Sequence, residues 1–158
     1  MPADHVVELR DGWVPLVREW ARRIGEPVTG EDGALYLEAG AGGPAGPRLG
    51  VDISPAGRSL VVAVSDGTLV SPDRLAPTVA AATAWNSREV TPTAVLGDAR
   101  SEAPLLSAVL TLPLASYLTA DGFATTLDAL LVDSLRLLYE CHDLGFVLRN
   151  TDDLANRE

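Results

Sequence analysis

The stretch LGVDISPAGRSLVVAV, residues 49–64, contains the pattern that decides the fold. Apolar residues occupy every second position in two runs, 49–53 and 60–64, which predicts two strands that each bury one face. The segment SPAG at 54–57 between these runs has the residues of a tight turn. The stretch therefore predicts an antiparallel hairpin with an apolar face and a wetter face.

Further strands are predicted on both sides of this hairpin. Leu35 and Leu37 alternate with Tyr36 and Glu38, which predicts a strand just before it. Two later strands are predicted at 94–96 and 105–112, joined by a polar turn at 97–104. In the longer one, two sets of side chains face opposite ways: Leu106, Ala108, Leu110 and Leu112 on one side, and Leu105, Ser107, Val109 and Thr111 on the other.

Three helices are predicted around these strands. The first begins at Asp11 and ends at Gly25, with an apolar stripe formed by Trp13, Val17, Trp20 and Ile24. In the middle segment, prolines 72 and 77 predict a short turn at 72–75 and then a helix from about residue 76. Its inner face is predicted to contain Val79, Ala82 and either Trp85 or Asn86. The last helix is predicted at 125–145, with a polar tail after it.

The order of elements is helix, three strands, helix, two strands, helix. Strands grouped between separated helices favour an α+β fold, with an antiparallel five-stranded sheet packed by helices. We expect a flexible N-terminus at 1–10, a single domain at 11–148 and a polar C-terminal tail at 149–158.

This α-βββ-α-ββ-α order resembles the YbjN family and the type III secretion chaperone-like fold. The local match consists of Trp85-Asn86, Val95 and Leu96, the strand residues 109–112 and the helix from Thr125. The resemblance implies a bacterial protein that binds segments of a client protein, as a chaperone or a regulator. It also implies a homodimer joined through the middle helix and the last strands.

Composition and charge restrict the possible partners. The chain has 158 residues, with 12 basic residues, all Arg, against 22 acidic ones, so its net charge is −10. This charge argues against nucleic acid and anionic membrane surfaces as partners and favours basic proteins. The one cysteine, Cys141, can form no internal disulfide, and no run of about 20 apolar residues predicts a membrane span. We therefore expect a cytoplasmic protein.

The motifs that could carry chemistry are weak. The glycine-rich segment 40–46 lacks a following lysine, and Pro44 and Pro47 remove two amide donors, so it predicts a hairpin connection and no nucleotide site. In the segment 140–143, Glu-Cys-His-Asp, adjacent helical side chains diverge and do not converge on one substrate atom. The acidic pairs Asp128 with Asp133, Glu31-Asp32 and Asp152-Asp153 lack the spacing of a calcium loop. We expect no cofactor, no metal and no catalytic residue.

Apolar side chains that exceed the needs of the core are the remaining candidates for function. Candidates for a partner or dimer surface lie on the first helix, the sheet and the middle helix: Trp13, Val17, Trp20, Val61, Trp85, Leu105 and Val109. They favour a non-catalytic protein-binding module, chaperone-like or a regulatory adaptor. Two alternatives stay open: a small-ligand sensor with a pocket between the last helix and the sheet, and a carboxylate- or metal-dependent enzyme.

Overall fold

The structure is a computed structural model that describes residues 4–31, 33–97 and 104–155, with side chains described through residue 142. The elements follow in chain order: β1 (Val7–Glu8), α1 (Leu9–Ile24), β2 (Thr29–Glu31), β3 (Ala34–Gly40), β4 (Arg48–Ala56), β5 (Ser59–Ser65), a 3₁₀ turn (Pro72–Arg74), α2 (Leu75–Arg88), β6 (Thr93–Leu96), β7 (Leu106–Pro113), β8 (Tyr117–Leu118) and α3 (Ala120–Ala155). The α+β class predicted from the sequence is confirmed.

The main sheet has six antiparallel strands in the order β2-β3-β4-β5-β7-β6, and β1 pairs with β8 in a separate two-stranded sheet. The predicted hairpin is β4–β5, in which Ile53 lies opposite Val62. The predicted five strands are all present, and β2 is the addition to this sheet. The sequence does not predict β2, because three exposed residues are too few to show an alternating pattern.

The core lies on one face of the main sheet. The buried side chains of β3, β4 and β5 all belong to this face, and the pairing continues it into β7, where Ala108 lies opposite Val64. Helix α3 packs against β5 and β7, while α1 and α2 pack against α3 and against opposite parts of the sheet, at β3 and β6. A single sheet face covered by helices therefore forms the core.

The N-terminal end differs from the prediction of a flexible segment at 1–10. Helix α1 begins at Leu9, two residues before the predicted Asp11, and β1 precedes it directly. The amides of Leu9 and Arg10 donate to the carbonyls of Ser116 and Leu114, both at 2.9 Å. Because the first amides of a helix lack partners within it, these carbonyls stabilise the earlier start.

The last helix is longer than predicted at both ends. It begins at Ala120, where the hydroxyl of Thr119 accepts from the amide of Gly122 at 2.9 Å and so caps the first turn. It continues to Ala155, so most of the predicted tail at 149–158 is helical. Gly145 does not end it, because one glycine costs only about 1 kcal/mol and no proline follows.

The middle segment was predicted correctly in outline: the 3₁₀ turn Pro72–Arg74 precedes α2. The inner face was partly wrong, because Val79 is 44% exposed and Thr78 is buried in its place. Thr78 tolerates burial because its hydroxyl donates to the carbonyl of Arg74 at 2.8 Å. Most of the polar turn predicted at 97–104 lies outside the described residues.

Candidate functional site

The face of the main sheet opposite the core is the candidate site. None of the described helices covers it, since all its outward strand positions are partly or fully exposed, whereas most of the alternating positions are buried. Across β3, β4, β5, β7 and β6, one row of paired positions on this face consists of Tyr36, Asp52, Ala63, Val109 and Thr93. We call this surface the open sheet face. Its side chains are partly or fully exposed, in contrast to the buried positions that alternate with them.

Four of the seven predicted partner-binding residues are buried and do not contribute to any surface. Trp13, Val17, Trp20 and Trp85 are 6%, 0%, 1% and 0% exposed. The three on α1 are enclosed because α1 packs on α3 as well as on the sheet, and Trp85 lies on α2, which packs against α3 and β6. The Trp20 indole donates to Asp128 Oδ1 on α3 at 2.9 Å, and the Trp85 indole donates to the carbonyl of Pro92 at 2.8 Å.

The guanidinium groups of two arginines flank Trp85. The carbon atoms at the centres of the Arg136 and Arg88 guanidiniums lie 4.8 and 5.5 Å from the centroid of the Trp85 ring. Arg136 also lies 3.4 Å from a carboxylate oxygen of Glu89, and Arg88 pairs with Glu140. These contacts hold the end of α2 to α3, which is a structural role.

The other three predicted residues belong to the open sheet face or its edge. Val61 and Val109 are partly exposed on β5 and β7, and Leu105 is partly exposed just before β7, where it bridges to Leu69. Val61 lies opposite Thr111, and Val109 lies opposite Ala63. The structure therefore brings these three residues to one side of the sheet, although it does not test what they bind.

A shallow depression of about 340 Å³ lies at one end of this face. Tyr36, Glu38, Asp52, Asp66 and Leu105 contribute to its lining. The Tyr36 ring leans over Gly50, where a Cβ atom would lie 2.9 Å from the tyrosine oxygen. This glycine therefore makes room for the ring, whose hydroxyl group lies 3.4 Å from a Glu38 carboxylate oxygen.

The electrostatics of the depression are dominated by carboxylates. Partial burial raises the pKa of Tyr36, and the charges of Glu38 and Asp52 raise it further. Arg48 is the one arginine in the lining. It is already paired with Glu26, because its guanidinium donates to that carboxylate at 2.6 and 3.0 Å. The acidic side of this face was missed from the sequence, although the alternation of Tyr36 and Glu38 with buried leucines pointed to it.

A second concave feature lies away from the open sheet face. It is a cavity of about 380 Å³ between the end of α1, the glycine-rich turn after β3 and the middle of α3. Its lining includes the apolar side chains of Ile24, Leu131 and Val132 and the charged side chain of Asp128. This position, between the last helix and an end of the sheet, matches the pocket expected for a small-ligand sensor.

The reactive side chains of the 140–143 segment do not form a nucleophilic site. Cys141 is fully buried, and burial, together with the charge of Glu140, raises the pKa of its thiol to about 11. The Nε2 atom of His142 lies 3.7 Å from a carboxylate oxygen of Asp66, which is too far for a hydrogen bond. The side chain of Asp143 lies outside the described part of the chain. Cys141 is therefore an inert core thiol at neutral pH.

The carboxylate pairs are also separated. Asp128 and Asp133 lie five residues apart on α3, which places them about 140° apart around the helix. Within the described ranges, no group of three or more His, Cys, Asp or Glu residues could hold a metal ion. Asp32 and the side chains of Asp152 and Asp153 lie outside the described residues. Among the helices that the structure describes, none is long and apolar enough to cross a membrane.

Comparison with known proteins supports the fold. No protein-family model and no curated protein matches the sequence. Among solved structures, the chain is similar to the crystal structure of YbjN from E. coli, which is described as a proposed transcription regulator. The TM-score is 0.61 at 18% sequence identity, and the match covers 80% of this chain and 89% of that one. The expectation of a YbjN-like fold is therefore confirmed; at this identity the likeness shows the fold alone.

Proposed function

We propose that this chain is a non-catalytic protein-binding module, a regulatory adaptor or chaperone, that holds a segment of a client protein on the open sheet face. The observation that carries this proposal is the absence of any described helix over that face, although Val61 and Val109 place apolar groups at its centre. An apolar surface left without a partner in its own chain is typical of an interaction site.

The client we propose is basic and amphipathic. Glu38, Asp52 and Asp66 line one end of the open sheet face, and the chain as a whole carries a net charge of −10. Apolar side chains of a client would pack on Val61, Val109 and Leu105, while its Lys or Arg residues would lie near the carboxylates. The same charge opposes direct binding to nucleic acid, so a regulatory role would act through a protein partner.

The description of YbjN as a proposed transcription regulator supports the regulatory form of this proposal. We also propose a cytoplasmic location, because the one cysteine is a free, buried thiol, as is usual in a reducing compartment. The fold itself does not determine the function, since related folds serve different functions. The proposal therefore depends on the exposed groups of this chain.

A homodimer joined through α2 belongs to the same proposal. The outward side of this helix presents Leu75 and Val79, which are 37% and 44% exposed, together with Ala76, Ala80 and Ala84. No charged residue lies between Arg74 and Arg88, so two copies of an acidic chain could approach here without repulsion between carboxylates. Light scattering after gel filtration tests the proposed dimer. The wild type should have the mass of a dimer and V79E the mass of a monomer. A monomeric wild type would contradict the proposal.

The client-binding proposal is tested by comparing captured proteins across matched variants. We would purify tagged wild type, V109D and V90D from the native host and quantify the co-purified proteins by mass spectrometry. Val90 is 91% exposed in the loop before β6, so V90D adds the same charge away from the open sheet face. We expect a basic client in fixed ratio with wild type and V90D, and its loss with V109D. A client retained equally by V109D, or no client with any of the three proteins, would contradict the proposal.

A further inference from the structure

The cavity beside α3 has the size and the mixed lining of a small-molecule site. Its volume of about 380 Å³ falls in the range of pockets that enclose small ligands. Its lining has no residue in common with that of the depression on the open sheet face. An inference about this cavity therefore stands apart from the proposed binding of a client.

The glycine-rich turn explains why space remains there. Gly42 and Gly43 have φ angles of +78° and +130°, which glycine adopts far more readily than other residues. A Cβ atom built on either of them would meet nothing within 4 Å. Because these two residues line the cavity and carry no side chain, the space between the turn and α3 stays unfilled.

Two of the three charged side chains in the lining are already neutralised. The Arg23 guanidinium donates to Asp121 at 2.8 Å and to Glu19 at 3.2 Å. The Glu26 carboxylate accepts two hydrogen bonds from Arg48, and this contact lowers the pKa of Glu26. Neither residue therefore presents an uncompensated charge to the cavity.

Asp128, an exposed residue at the cavity, is the exception. Its Oδ1 atom accepts from the Trp20 indole at 2.9 Å, which is a neutral donor. Among the residues that the structure describes, no arginine or histidine forms an ion pair with it. The cavity thus combines one exposed carboxylate that forms no ion pair with apolar lining residues, of which Leu131 is buried and Val132 is 53% exposed.

We propose that this cavity binds a small organic cation, namely a protonated amine that carries a compact apolar group. The ammonium group donates to the Asp128 carboxylate, and the apolar group packs against Leu131 and Val132. A charge-assisted hydrogen bond of this kind is about twice as strong as a neutral one, and the net charge of −10 favours the approach of a cation. Anions are disfavoured at the same site because Arg23, the one arginine in the lining, is already paired with Asp121 and Glu19.

The indole N–H of Trp20 provides a direct reporter for this proposal. In a ¹H–¹⁵N spectrum of the full chain, we would titrate benzylammonium and, as the neutral isostere, benzyl alcohol; the variant W20F assigns the Trp20 resonance. We expect a saturable shift of the Trp20 indole resonance with benzylammonium and little with the alcohol. The resonance of Trp85, which donates to Pro92 instead, serves as the internal control and should not move.

Two variants separate the role of Asp128 from a general charge effect. D128N keeps an oxygen that accepts from the Trp20 indole, so the fold is retained, and it should weaken benzylammonium binding about tenfold or more. D133N removes the same charge from α3 outside the cavity lining and should change the affinity by less than about twofold. The absence of a saturable shift at about 10 mM amine, equal binding of the alcohol, or unchanged affinity in D128N would overturn the proposal.

Discussion

The side-chain amide of Asn86 forms two hydrogen bonds with the backbone of Ala94. Its Nδ2 atom donates to the Ala94 carbonyl at 2.9 Å, and its Oδ1 atom accepts from the Ala94 amide at 2.8 Å. Ala94 lies in β6, the edge strand, which pairs with β7 on its other side. The asparagine therefore occupies the place of a neighbouring strand and satisfies backbone groups that would otherwise be free to pair with another chain.

Replacing this asparagine should destabilise the fold and expose the edge of β6. We expect N86A to lower the free energy of unfolding by about 1–3 kcal/mol, since two hydrogen bonds are lost. The stability of N86D should lie between those of N86A and wild type, because aspartate keeps only the acceptor. Urea denaturation measures the effect. S87A, which removes an exposed hydroxyl one position along α2, should change stability by less than about 0.5 kcal/mol. Equal stability of N86A and S87A would contradict this role.

The contact between Gly50 and Tyr36 should appear as coupling between two substitutions. In the wild type, G50A places a methyl group against the end of the Tyr36 side chain, which must move, so we expect a loss of about 1 kcal/mol or less. In a Y36A background the same change should gain about 0.5 kcal/mol, because alanine loses less conformational entropy than glycine in a strand. A double-mutant cycle measures the difference, and zero coupling would show that the ring does not occupy this space.

The carboxylate of Glu19 should make stability depend on pH in the acid range. Hydrogen bonds from Arg22 and Arg23 lower its pKa from an ordinary value of 4.5 to about 2. Because the folded-state pKa is the lower one, the stabilisation is complete above about pH 4.5 and is lost as the pH falls towards 2. The difference in melting temperature between wild type and E19Q should therefore shrink over that interval. A difference that stays constant from pH 6 to about pH 2 would contradict the assignment.

The thiol of Cys141 should be unreactive in the folded protein. Burial raises its pKa to about 11, so almost no thiolate exists at pH 8, and the side chain is fully enclosed. We expect no reaction with a disulfide reagent such as DTNB in buffer, and reaction of one thiol per chain after unfolding in urea. Rapid reaction under native conditions would show that the α2–α3 side of the core opens.

Local patterns predicted most of the elements. The alternation at 49–64 placed β4 and β5 on the correct face, and prolines 72 and 77 predicted both the 3₁₀ turn and the start of α2 within a residue. The elements that were missed depend on partners distant in sequence. The earlier start of α1 requires carbonyls of 114 and 116, and β2 is recognisable only through its pairing with β3.

The candidate site was less predictable because exposure depends on how many layers cover an element. The sequence pattern of Trp13, Val17 and Trp20 does not show whether one element or two pack against the helix. In the structure, α3 and the sheet both contact α1. Val61 and Val109 were placed correctly since a strand pattern specifies which residues share a face. Asp128 is exposed, and its hydrogen bond to the Trp20 indole was not predicted because the two residues are 108 positions apart in the chain.

All three tryptophans lie inside the core, so the intrinsic fluorescence of this protein reports on its interior. Trp13, Trp20 and Trp85 are at most 6% exposed, which predicts a blue-shifted emission and poor access for quenchers such as acrylamide or iodide. The open sheet face carries tyrosine and no tryptophan. A client segment can therefore settle on that face with little change in the emission spectrum, whereas unfolding of the core brings all three indoles into water together.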